Sequence, residues 1–439
     1  MTEYPSLYAR LDSNVVTGGG TDDTAVIQAI LDTAQDRPLH LIMDGAALVG
    51  GLRIHSNTTI ECPNASCGFF LRNNENKALL SAADNDYREI RTENVSLLGG
   101  TYNLNCPHQE HHTQPEGHSF DINDAEDWEY CTCGFRFCGI RNLLVRDVTT
   151  IDQRFWTMLV ANFENVTMEN IDIRLPNIMD GQNQDGLHFW GPGKCLALRN
   201  IKGTAGDDII AIAPDERDLE SDITDVLIDG LVLKDSDQGI RLLSRCKGRL
   251  DRVIIKNVTG TYKSFGFFIN PWLCDDQVKG NIGSLTFENI DLRQENHKYH
   301  YSVPLLFRLG GSIERLVLKN IRHISADDPH AFLQLGGPYA AEAMTDPRQT
   351  AEIGTVVIDG LDLTGSPAGP RAKGIEVKCP VENLLVSRAV LNNLGDTPFI
   401  RVFEGGTVKN LMLHQIIANG TPLTGGVGIG SRFESDISI

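Results

Sequence analysis

The chain has 439 residues, a formal net charge of −19 at pH 7 and a pI near 5.0. So acidic a chain lacks the basic face that nucleic acid requires. It also disfavours a strongly anionic polymer unless a local basic pocket overrides the field. With 41% apolar and 22% charged residues it is globular rather than disordered, and no run of about 18 apolar residues exists to span a membrane.

The first residues, Met-Thr-Glu-Tyr-Pro-Ser, hold no basic segment followed by an apolar one, so no secretory leader is read. The ten cysteines have no regular spacing and read as reduced thiols. Both features predict a cytoplasmic protein, or a secreted one if a leader has been removed. Residues 21–34, TDDTAVIQAILDTA, predict an amphipathic helix with a polar N-cap, serving as an N-terminal lid.

From residue 94 one phrase recurs: apolar-x-apolar, two linking residues, then apolar. It reads NVSLLGGTY at 94–102, NLLVRDVTT at 142–150, NVTMENIDI at 165–173, CLALRNIKG at 195–203 and DVLIDGLVL at 225–233. It continues as RVIIKNVTG, SLTFENIDL, RLVLKNIRH, TVVIDGLDL, NLLVSRAVL and NLMLHQIIA, starting at 252, 284, 315, 355, 383 and 410. From 142 to 315 successive starts lie 23 to 32 residues apart. A period of this size marks a solenoid. Short alternating β-branched runs are strands, with one face turned inward. A leucine-rich repeat would need a Leu ladder, which is missing. The expected fold is all-β: a single right-handed parallel β-helix over 1–439, with Asn or Asp stacked at left-handed bends.

Two stretches break the period, 101–137 and 336–352, and long loops on a rigid scaffold tend to wall a binding cleft. The first holds His108, His111, His112 and His118 beside Cys106, Cys131, Cys133 and Cys138. Their spacing matches no zinc pattern, so neither metal nor cofactor is expected. Asp215-Glu216-Arg217-Asp218 reads as a solvated loop bordering the site.

The chemistry concentrates in Asn183-Gln184-Asp185-Gly186 and Gly206-Asp207-Asp208. Asp185 and Asp207 are 22 residues apart, close to one coil, so three carboxylates should project together. Clustered carboxylates repel, which keeps a proton available. Glycoside hydrolysis needs one carboxylic acid to protonate the leaving oxygen and one carboxylate to activate water. His188 and Trp190 follow the first motif, Trp156 lies one coil earlier, and Trp272 lies further on. Aromatic rings stack on sugar faces, so these are candidate substrate contacts.

NQDG followed by GDD resembles the NTDG and GDD motifs of glycoside hydrolase family 28, the polygalacturonase-like β-helix enzymes. The TDDT helix resembles that superfamily's lid. The resemblance covers most of the chain as architecture and residues near 150–245 as motif. It implies that Asp207 is the general acid, that Asp185 and Asp208 hold and activate water, and that the reaction inverts. Gln184, Gln238 and Arg241 join the candidate substrate contacts. Two departures count. Gln238, in Asp237-Gln238-Gly239, stands where the family has His, and 265–270 (FGFFIN) lacks the cations of the family's Arg-Ile-Lys. Arg241 is the available substitute.

The expected activity is therefore glycosidic cleavage of a poly- or oligosaccharide other than plain polygalacturonate. The alternatives are a polysaccharide lyase or epimerase on the same scaffold, in which the Asp trio holds calcium, and a non-catalytic carbohydrate-binding β-helix. No nucleic acid or membrane partner is expected.

Overall fold

The computed structural model describes residues 2–110, 133–179, 183–218, 220–270, 279–295, 305–326, 331–337, 351–366, 373–393 and 399–422. Contacts divide the chain into two compact units, Met1–Ala211 and Ile212–Ile439. Both are built of parallel strands, and the fold is a right-handed parallel β-helix.

In the first unit the Phe135–Arg146 strand pairs in parallel with Met158–Arg174, which pairs with Leu187–Gly203. Side chains alternate in and out along a strand, so Phe137, Val160 and Phe189 stack in one inward row and are fully buried. In the second unit Ile228, Ile255, Phe287, Leu318, Ile358 and Val386 form such a row over six strands, each at most 1% exposed. Each buried side chain of this kind contributes about 1.5–3 kcal/mol. Immediately beside that row runs an outward one: Asp229, Lys256, Glu288, Lys319 and Asp359 alternate in sign from strand to strand. Lys256 pairs with Asp229 at 3.1 Å and Lys319 with Glu288 at 2.9 Å.

The bends carry the expected polar ladders. In the first unit Asn57, Asn94, Asn142 and Asn165 have φ of 61°, 59°, 58° and 58°. Each later Nδ2 donates to the Oδ1 one coil before, at 2.9, 2.9 and 3.2 Å. In the second unit Asn257, Asn289 and Asn320 donate in turn to Asp229, Asn257 and Asn289 at 2.7, 3.1 and 3.1 Å. Asparagine tolerates the left-handed region and spends its amide on the next coil. At the following coil Gly360 takes that conformation with φ 83°, where a Cβ would meet Asn320 Oδ1 at 2.9 Å.

The helix expected over 21–34 is shorter, spanning Thr24–Asp32 and closed by a 3₁₀ turn at Thr33–Gln35. Its would-be first residues are held elsewhere. Thr21 N–H donates to Asp12 at 2.7 Å, and the Asp23 carboxylate accepts from the backbones of Arg10 and Leu11 at 3.2 and 3.3 Å. Ile27 and Leu31 are fully buried, and Gln28 ties the helix to the Arg53 backbone. Asp215, Glu216 and Arg217 are buried rather than solvated. Asp215 accepts backbone N–H bonds from Arg245, Cys246 and Gly248 at 3.0, 2.6 and 3.2 Å. The eight described cysteines are free thiols, and no described helix is long and apolar enough to cross a membrane. His111, His112, His118 and Cys131 fall outside the described residues, as does most of 336–352.

Inside the second unit the Tyr262 hydroxyl lies 2.8 Å from His323 Nε2, both side chains buried. Burial drives the His323 pKa down to about 3.

Two expectations follow. Asn257→Ala should cost about 1–2 kcal/mol through lost ladder bonds and left-handed strain, and Asn257→Gly less, compared by denaturant midpoints. For His323, folded and unfolded chains are both neutral above the ordinary histidine pKa of about 6.5. As pH falls from there toward 3, the unfolded chain binds a proton that the folded one refuses, so stability is lost. His323→Gln should flatten that dependence, and denaturation at a series of pH values with an unchanged slope would contradict it.

Candidate active site

The three carboxylates meet where the loop before the Leu187–Gly203 strand stacks on the start of the Asp208–Ala213 strand. Two backbone bonds clamp the coils: Gly186 N–H donates to Asp208 O at 2.8 Å and Gly206 N–H to Gln184 O at 3.0 Å. Gly186 is needed for this approach, because a Cβ would lie 2.3 Å from Ile209 O and 2.9 Å from Ile173 Cδ1. As a result one oxygen from each of Asp185, Asp207 and Asp208 lies within 4.8 Å of the other two. Asp185 and Asp208 are buried and Asp207 is half-buried. A point central to a triangle of that size is about 2.8 Å from each corner, a hydrogen-bond length.

Asn183 braces the trio. With its amide oriented by its neighbours, Nδ2 donates to Asp185 Oδ1 at 2.6 Å and to Asp207 Oδ2 at 3.0 Å. The other Asp185 oxygen lies 2.8 Å from His188 Nδ1, and Trp190 Nε1–H donates to His188 Nε2 at 3.1 Å. The Trp156 ring lies over His188, centroids 3.6 Å apart and planes 18° apart, and meets Trp190 edge-on at 5.3 Å.

Of the residues expected to touch substrate, Gln184, His188, Trp156 and Trp190 are at most 1% exposed and are occupied by protein contacts. The rings turn their faces on each other instead of on solvent. Trp190 shares its row with Ala161 and Cys138, small side chains that leave room for an indole. Gln184 Nε2 donates to Gln153 O at 2.7 Å, and its Oε1 accepts from Met179 N–H at 2.8 Å. These four side chains hold the carboxylates and the loop before them.

Gln238 and Arg241 lie on the Ile223–Leu242 strand of the second unit, each 6% exposed. Phe265 and Phe268 stack at 4.0 Å and are buried, and 265–270 offers no cation. Register places Arg241, Phe268 and Arg308 in one row. Arg308 is 1% exposed and donates to Gly337 O at 2.6 Å. Sequence reasoning missed Arg308, whose one signal is a lone charge in the apolar run LLFRL. It also gave Asn183, named only as part of the motif, no role of its own. Trp272 lies outside the described residues.

Because the Gln184 bond to Gln153 is buried and that to Met179 part-buried, Gln184→Met should lower stability by about 1–3 kcal/mol. Equilibrium unfolding checks this; a variant as stable as the parent would mean that the side chain anchors nothing.

No family model matches the chain. A polygalacturonase of Brassica napus is 24% identical over 265 residues, covering 49% of this chain and 65% of that protein. An exopolygalacturonase of Platanus acerifolia is 28% identical over 86 residues, 20% of this chain and 22% of that one. The chain thus spans less than two thirds of the length of either relative. Among solved structures, the exopolygalacturonase of Thermotoga maritima matches with a TM-score of 0.51 at 18% identity, covering 98% of this chain and 95% of that one. The family 28 exopolygalacturonase of Yersinia enterocolitica matches with a TM-score of 0.53 at 11% identity, covering 96% and 79%. The chain is polygalacturonase-like in sequence and shares the fold of these structures.

Proposed function

We propose that this polygalacturonase-like β-helix is a glycoside hydrolase acting on a poly- or oligosaccharide, with inversion resting on the motif resemblance and not on spacing, since oxygens at most 4.8 Å apart are closer than the about 6.5–9.5 Å of typical inverting carboxyl pairs. The observation that carries the reading is the Asp185, Asp207 and Asp208 triangle, whose oxygens lie within 4.8 Å of one another on coils locked by Gly186 and Gly206. Asp207, the half-buried member, is the one with access to a leaving group and acts as general acid. Its proton passes to the glycosidic oxygen as the bond from that oxygen to the anomeric carbon breaks. Buried Asp185 and Asp208 hold a water between them. One of them takes the water's proton as its oxygen bonds the anomeric carbon from the opposite face, so one water is consumed per bond cleaved.

A substrate other than plain polygalacturonate is part of this proposal, because 265–270 supplies aromatic rings where the family has Arg-Ile-Lys; the cations in the row of Phe268 are Arg241 and Arg308. The same triangle of oxygens suits a hard cation, which is what a lyase on this scaffold would use. A chelator separates the two readings.

Purified protein should be screened against a glycan panel, with products followed by NMR for anomeric configuration and by absorbance for unsaturated ends. Asp207→Asn should cut turnover by about 10²-fold or more with KM nearly unchanged, and less on substrates with good leaving groups. Near-normal turnover of Asp207→Asn on a poor leaving group would defeat the assignment. Chelator-sensitive release of unsaturated products would favour the lyase.

A further inference from the structure

We propose that Trp190 and His188 form a positioning relay that locks His188 as a neutral imidazole with its proton on Nδ1, directed at Asp185. The relay's part in catalysis rests on the hydrolase reading above; the lock itself does not.

The argument is one of donors and acceptors. An indole N–H donates and cannot accept. It points at His188 Nε2 from 3.1 Å, so Nε2 must present its lone pair. A neutral imidazole carries one N–H, which is then on Nδ1, 2.8 Å from Asp185 Oδ2. Asp185 Oδ1 accepts from Asn183 at 2.6 Å. Both Asp185 oxygens therefore receive donors. Asp185 is thereby fixed in orientation within the trio by donors on two sides.

Protonating His188 would set a second N–H against the indole N–H in a site with no exposed surface, where an unmet donor is costly. The stacked Trp156 ring, 3.6 Å away, blocks a ring flip that would put Cδ2 and Cε1 where the two nitrogens sit. The surrounding charges act in the same sense or through Asp185. Arg136 occupies the same strand row as His188 two strands earlier, and its cation disfavours a second one. Tyr87, hydrogen-bonded to Arg136 at 3.0 Å, has its ring 6.2 Å from that of Trp190. Cys138 shares the Trp190 row, and Asp207 and Asp208 lie beyond Asp185. Trp190→Phe keeps an aromatic ring but removes the donor. Nε2 is then open to a proton, and the resulting imidazolium paired with Asp185 makes that carboxylate a weaker acceptor for the water's proton.

The test is ¹⁵N NMR of the full chain labelled at histidine, with His188 assigned by the loss of its signals in His188→Gln. The expected result is an Nδ1–H, Nε2-lone-pair tautomer that does not titrate between pH 8 and 5, a range crossing the ordinary value of about 6.5. In Trp190→Phe the ring should titrate near that ordinary value. On a substrate identified by the panel, kcat of that variant should gain an acid limb in the same range and fall about 10-fold below it, with KM unchanged. Wild-type His188 titrating near 6.5, or carrying its proton on Nε2, would overturn the relay whether or not Trp190→Phe folds. The locked tautomer without hydrolysis of any glycan would leave the relay standing and remove the hydrolase reading instead.

Discussion

The parallel ladder of backbone hydrogen bonds, which stacks each coil about 4.8 Å from the next, decides which side chains of this protein can meet. It converts residues far apart in sequence into neighbours with little freedom to separate. The bond from Gly186 N–H to Asp208 O is one rung of it, and through that rung Asp185 faces Asp207 and Asp208. Three carboxylates at such distances repel strongly in a low-dielectric setting. They stay together because the rungs, the Asn183 bridge and the His188 contact resist their separation.

The rigidity has a second source in the aromatic group behind the carboxylates. Trp156, His188 and Trp190 are packed as a stack and an edge contact, so orientation of Asp185 is enforced by apolar packing as well as by hydrogen bonds. Packing of this kind positions reacting groups more narrowly than polar contacts to solvent would. Gln184 extends the frame in the other direction by holding Met179 and Asn177. The charged members of the site are thus few, and most of its side chains serve to keep them still.

The fold was legible because a β-helix writes its period into the chain. NVTMENIDI and its copies repeat both the inward residues and the bend asparagines, and Asn165, Asn257 and Asn289 adopt the left-handed bends that the pattern implies. Asp185, Asp207 and Asp208 were legible for the same reason, since a separation close to one coil is a statement about space. The environment of the aromatic side chains was not. Whether Trp190 faces a sugar or an imidazole depends on Ala161 and Cys138 in neighbouring strands and on Trp156 in a loop, and no local pattern encodes that. The helix start was misjudged because Thr21 and Asp23 bond to residues 10–12, a contact that competes with helix formation and leaves no periodic trace.

The outward row Asp229, Lys256, Glu288, Lys319 and Asp359 has a consequence for how such a chain can lengthen. Read across strands, it has parity. One extra coil placed between the strands of Lys256 and Glu288 would bring like charges into contact if it carried a charge of either sign at that position, because one neighbour is a cation and the other an anion. Two coils of opposite sign, in the right order, would preserve the alternation. Growth that keeps this face favourable proceeds by coils in pairs, so the electrostatics of one surface column restrict which duplications of the repeat are tolerated.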